Sequence, residues 1–141
     1  MRSRRSFLEH VTGGIAGVGI ASLVLGRSGF SSPNRNPEIL TTLKISENKD
    51  LEKIGGFVLV KDTPLGDLIV IRSGAEQYSA LSTVCPHRQC RVEVKNPSLI
   101  QCPCHQSAFR TDGTYVSGPA KTGLRRFQVR VEGDLLAVMG E

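Results

Sequence analysis

From Ile39 onward the hydrophobic residues come in short runs or alternate with polar ones, and neither pattern persists long enough for a helix. The segment ILTTLKIS at 39–46 alternates, FVLVK at 57–61 and DLIVIRS at 67–73 are β-branched runs, and QYSALST follows at 77–83. Alternation with period two and short β-branched runs both predict strands. Turn residues separate them: Gly55-Gly56, the TPLGD stretch at 63–67 and Ser73-Gly74. Further on, Asp112-Gly113 and Gly133-Asp134 stand between short strands as hairpin turns do. The stretch FQVRVEGDLLAVM at 127–139 predicts a closing hairpin with Phe127, Val129 and Val131 on one face. No internal repeat is visible, and residues 39–141 need no helix longer than a turn or two. The prediction is an all-β domain of small antiparallel sheets, folded as a compact barrel or sandwich.

The first 38 residues follow other rules. Residues 3–8 read SRRSFL, and an apolar, Gly-rich stretch runs from Val11 to Leu25. A charged start ahead of an apolar stretch is the layout of an export signal, and the arginine pair resembles the twin-arginine class. That route carries proteins already folded around a cofactor. Fifteen apolar residues rise only about 22 Å as a helix, less than the ~30 Å hydrocarbon core. Yet no A-x-A cleavage site follows, the segment ending ASLVLGRSG. Residues 1–26 are therefore expected to form a signal or anchor helix that stays uncleaved and holds the chain to a membrane. Residues 27–38, RSGFSSPNRNPE, have the composition of a flexible linker and could reach about 40 Å when extended.

Charge then excludes one class of function. The formal net charge is +5. Residues 1–36 hold five arginines against one glutamate, so +4 belongs to the leader and only +1 to the remainder. A nucleic-acid binder would carry its basic surface on the folded domain, so no nucleic-acid partner is expected.

The chemistry is concentrated. All four cysteines and two of the three histidines fall between 85 and 105, in the boxes CPHRQC at 85–90 and CPCHQS at 102–107. Pro86 and Pro103 bend each box, so the two can aim a thiolate and an imidazole at one point from two sides. Soft ligands so concentrated in a strand protein point to a metal. Zinc accepts mixed Cys/His sets, but its usual pairs are C-x₂₋₄-C and H-x₃₋₅-H, whereas these read C-x-H and C-x-C-H. Six candidate ligands are also too many for four positions. A four-cysteine cluster of the plant type wants C-x₄-C-x₂-C, which is absent.

The boxes resemble those of Rieske proteins, C-x-H-x₂-C and C-x-C-H-x-S, and the resemblance extends over about residues 80–122. It implies a Rieske-type domain over 39–141 with a cluster-binding subdomain. It also implies one [2Fe–2S] cluster, with Cys85 and Cys102 on one iron and His87 and His105 on the other. In relatives serving cytochrome bc-type complexes the remaining cysteines are paired, which implies a Cys90–Cys104 disulfide. Such a bond suits an oxidising compartment and, closing about fifteen residues, is worth ~3 kcal/mol in the chain-entropy model. Ser107 resembles the serine whose hydroxyl donates to a bridging sulfide, and Gly118-Pro119-Ala120 resembles the proline loop over the cluster.

What the resemblance implies about function is one-electron transfer, as the iron–sulfur subunit, or a minor variant of one, of a quinol-oxidising cytochrome bc-type complex. A cytochrome b subunit would be the donor and a c-type cytochrome or copper protein the acceptor, on the extracytoplasmic side of a membrane, periplasmic or thylakoid-lumenal. The chain is not catalytic alone. Two departures favour alternatives. Phe109 stands where such proteins usually have a Tyr that donates to a cluster cysteine, which predicts a lower potential than in tyrosine-bearing relatives. Arg88 and Gln106 replace an apolar residue and a Gly beside the two histidines, a positive and bulky rim that suits an acidic protein or an anionic group better than a quinone ring. The alternatives are a stand-alone exported Rieske carrier and the small Rieske subunit of an exported oxidase such as the arsenite oxidases.

Overall fold

The computed structural model describes residues 37–140. The expected leader helix over 1–26 and nearly all of the linker lie outside the described residues. Ten strands and one short 3₁₀ helix follow in chain order. They are β1 Ile39–Lys44, the 3₁₀ turn Lys49–Glu52, β2 Phe57–Val60, β3 Leu68–Arg72, β4 Tyr78–Ser82, β5 Glu93–Asn96, β6 Leu99–Gln101, β7 Ala108–Phe109, β8 Tyr115–Ser117, β9 Arg126–Glu132 and β10 Leu135–Met139. Among the described residues no helix is long and apolar enough to cross a membrane.

The strands form two sheets, antiparallel throughout. One has six strands in the order β1-β10-β9-β4-β3-β2, and the other four in the order β5-β6-β7-β8. The small sheet and the loops around it are one continuous excursion between β4 and β9, which are paired in the large sheet through Ala80–Phe127 and Leu81–Arg126. Strand β3 explains why both sheets hold together. Its run Leu68-Ile69-Val70-Ile71 is buried on both faces. Leu68 and Val70 join Leu51, Phe127, Leu136 and Val138 in one core, while Ile69 and Ile71 join Leu81, Ile100 and Phe109 in the other. A strand covered on both sides has no polar alternation, which is how DLIVIRS reads.

Turn chemistry places the ends. Gly133-Asp134 forms the two-residue loop between β9 and β10, with Gly133 at φ +60° and Leu135 opposite Glu132. Glycine at the first central position with positive φ is the type II′ hairpin requirement. Asp134 then accepts from both the backbone N–H and the hydroxyl of Ser46, pinning the end of β1 to this turn. These bonds hold the Asp134 carboxyl below its ordinary pKa.

Two details differ from the sequence reading. Phe127 and Val129 face the core, but Val131, further along the same face, is 37% exposed because it lies at the hairpin end of β9. The hairpin β5–β6 was not anticipated. Its turn is built at Asn96-Pro97, where the Asn96 side chain accepts from the Ser98 N–H.

Leu81 is fully buried where the two sheets meet. Leu81→Ala is expected to lower unfolding stability by about 2–5 kcal/mol, measured by urea denaturation.

Candidate metal centre

Two loops present the cysteines and histidines, and they are built alike. In the first, the Cys85 N–H donates to the Cys90 carbonyl at 2.8 Å and the Gln89 N–H to the Cys85 carbonyl at 2.9 Å. In the second, the Cys102 N–H donates to the Ser107 carbonyl at 2.8 Å and the Gln106 N–H to the Cys102 carbonyl at 3.0 Å. The pairings sit at matching positions counted from the first cysteine of each loop. So does the backbone: Gln89 and Gln106 lie at φ +59° and +60°. Non-glycine residues there cost roughly 1–2 kcal/mol. Gln106 has compensating bonds, accepting from the Gln101 side chain at 2.9 Å and donating to the Pro103 carbonyl at 3.4 Å.

The loops are tied covalently. Cys90 and Cys104 form a disulfide, with their Cα atoms 6.5 Å apart. Cys85 and Cys102 are free and buried, with relative exposures of 0% and 2%. Burial is the main reason that the Cys85 thiol is held above its ordinary pKa. The sulfurs of Cys90, Cys102 and Cys104 lie within 4.8 Å of one another, but two of these are spent on the disulfide. Of that trio only Cys102 keeps a thiol to offer.

The imidazoles occupy the outer side. His105 is exposed and His87 half-buried. Their rings meet edge to face with centroids 4.7 Å apart. Partial desolvation, the adjacent His105 and the positive charge of Arg88 hold His87 below its ordinary pKa, in that order of size. Neutral imidazole is the form that coordinates a metal.

Behind the loops lies a polar and apolar lining. Ser107 is fully buried, and its hydroxyl accepts from the Ala120 N–H at 3.2 Å. Gly118 has φ +97°, and a Cβ on it would fall 2.5 Å from the Ser107 Cα. Only glycine permits this approach, and it lays the Gly118-Pro119-Ala120 segment against the second loop. Phe109 is fully buried in the same core as Cys85 and Cys102. It packs edge to face on Tyr115, with centroids 6.5 Å apart. The hydroxyl of Tyr115 turns the other way and donates to the Gly118 carbonyl at 2.6 Å. Tyr115 was missed in the sequence. Its placement two residues after Gly113 and three before Gly118 was the available signal.

Two buried free thiols and two imidazoles brought together by loops with preset backbones are a donor set suited to iron–sulfur ligation. The sequence profile of the Rieske [2Fe–2S] domain matches residues 41–128. The chain belongs to the Rieske [2Fe–2S] family.

Rieske domains bind one [2Fe–2S] cluster, and the free thiols and imidazoles here fit that group. The chain is homologous to iron–sulfur subunits of bc-type complexes. It is 31% identical over 140 residues to the cytochrome b6-f complex iron-sulfur subunit of Chlorobaculum thiosulfatiphilum, covering 96% of this chain and 74% of that protein. It is 25% identical to the menaquinol:cytochrome c reductase iron-sulfur subunit of Bacillus subtilis, covering 95% and 89%. Among solved structures it resembles the plasma membrane Rieske protein PetC3 from Synechocystis PCC 6803, with TM-score 0.57 and 26% identity over 71% of this chain and 96% of that one.

Removing the disulfide by the double change Cys90→Ala, Cys104→Ala should lower stability by about 3 kcal/mol. Guanidinium unfolding of the variant against the parent chain measures the difference.

Proposed function

We propose that this chain passes single electrons as the iron–sulfur subunit, or a minor variant of one, of a quinol-oxidising cytochrome bc-type complex. In this reading Cys85 and Cys102 hold one iron, and His87 and His105 the other. The observation that carries it is the division of the site into buried free thiols and outward imidazoles, on loops locked by the Cys90–Cys104 bond. When bound, a cluster with two imidazoles in place of two thiolates takes an electron at about −150 to +300 mV, against about −400 mV for plant-type ferredoxins.

The chain's own residues do the rest. Burial around Cys85 and Cys102 keeps water from the thiolates, while the exposed edges of His87 and His105 are where a partner comes close. Each imidazole can hold or release a proton at its outer nitrogen, which couples electron gain to proton gain and suits a quinol donor. The Ser107 hydroxyl would donate to the sulfur side of the site. Phe109 contributes none, so one hydrogen bond that would stabilise the reduced state is missing.

A cytochrome b subunit is then the donor, and a c-type cytochrome or copper protein the acceptor. Leader residues 1–26 and linker 27–38 would anchor domain 39–141 on the extracytoplasmic side of a membrane, periplasmic or lumenal. The twin-arginine pattern of SRRSFL and the oxidised cysteine pair both support that side. Exposed Arg88 beside His87 favours a second reading, an exported carrier with no cytochrome b. Co-purification with a b-type haem subunit, or without one, separates the two.

The purified chain is expected to hold about two irons and two acid-labile sulfides and to give a paramagnetic signal on one-electron reduction. Zinc at one per chain with no such signal would overturn the assignment. Phe109→Tyr should raise the midpoint in a redox titration by roughly 40 mV, the one-electron equivalent of a ~1 kcal/mol hydrogen bond.

A further inference from the structure

The segments that surround the imidazoles share one sign of charge. Residues 83–92, 102–107 and 113–126 contain no aspartate or glutamate, and they contain Arg88, Arg91, Lys121, Arg125 and Arg126. The rest of residues 37–140 holds eight basic and eleven acidic side chains. The domain is therefore polarised, net +5 in the site segments and net −3 elsewhere.

Two of these cations stand next to residues of the site. Arg88 adjoins His87 in the first loop and is exposed. Lys121 is also exposed, and it follows Ala120, whose N–H is bonded to Ser107 in the second loop. Its backbone at φ +63° is one that an ordinary residue adopts only at a cost. Arg91 is already engaged by Asp67 at the foot of the first loop. Arg126 donates to the Thr114 hydroxyl at 2.9 Å. Arg125 lies over the Phe127 ring, 5.1 Å from its centroid, so among the described residues Arg88 and Lys121 are the cations of these segments that no other side chain engages.

The same segments also expose apolar side chains. Pro86, Pro103 and Pro119 are exposed, one in each segment that reaches the site. Exposed apolar side chains accompanied by charge suit a protein–protein contact. The open grooves of about 650, 550, 470, 180 and 220 Å³ among the described residues include neither imidazole.

We infer that the imidazole face is a docking surface for an acidic redox protein, steered by Arg88 and Lys121. This rests on the electron-transfer reading above and specifies the partner's surface. Charge complementarity of this kind raises the association rate and is screened by salt, since the Debye length falls from about 30 Å at 0.01 M to about 10 Å at 0.1 M.

The test uses the full, cluster-loaded chain with two oxidised probes, an acidic blue-copper protein and a basic c-type cytochrome. Binding is measured by calorimetry between about 0.01 and 0.3 M salt, and electron transfer by stopped flow, with one electron leaving the chain for each acceptor reduced. Expected are tighter binding of the acidic probe, weakening with salt, and a loss of about tenfold in its affinity and association rate in Arg88→Glu at low salt. Lys121→Glu lies outside both loops and should act in the same direction, so the inference stands testable if the Arg88 change impairs loading. The paramagnetic signal of each variant reports loading separately. No signal in the parent chain would sink the electron-transfer reading itself. A loaded chain that binds both probes alike, prefers the basic one, is indifferent to both reversals, or is held by anionic lipid vesicles rather than by the acidic probe would overturn the inference.

Discussion

The bond between Cys90 and Cys104 fixes the distance between two loops that the rest of the chain has to hold at one point. Each loop leaves a different place: the first follows β4 in the large sheet, the second lies between β6 and β7 in the small one. Neither loop contains regular structure of its own, so without a tie their relative position would depend on a few backbone bonds. The sheets supply the second restraint. Because β3 packs on both faces, the core under the large sheet and the core under the loops share one wall. The thiols of Cys85 and Cys102 belong to that second core, so the same burial that stabilises the fold shields the site from water.

Much of this was readable in advance, and for physical reasons. The strands from β1 to β4 and the closing hairpin announce themselves because β-branched runs and glycine turns are local signals. The two boxes are equally local: six soft ligands in twenty-one residues leave few alternatives. The pairing of Cys90 with Cys104 entered through family resemblance, and the structure places those two sulfurs in a bond. The profile match and the homologous subunits carry the family beyond the boxes alone.

What was not legible depends on long-range geometry. Nothing in the sequence tells that Gln89 and Gln106 share a left-handed backbone, because no local rule favours glutamine there. The loops acquire that shape from their closing hydrogen bonds. Gly118 looked like part of a proline loop, but its reason is a backbone packed so closely on Ser107 that a Cβ would fall 2.5 Å from the Ser107 Cα, a proximity that only the folded chain creates. Phe109 read as a missing hydroxyl; the structure also makes it a packing residue, with Tyr115 against its ring. Val131 kept the predicted face and lost the burial, since periodicity does not report how far a core extends.

The site is closed on its sulfur side and open on its imidazole side. A centre with a single doorway receives and returns its cargo through the same opening. Donor and acceptor must therefore take turns, because one bound at the doorway excludes the other. Throughput in such an arrangement is governed by release and re-docking as much as by the transfer itself, and a partner that holds on too well would slow the cycle that it serves.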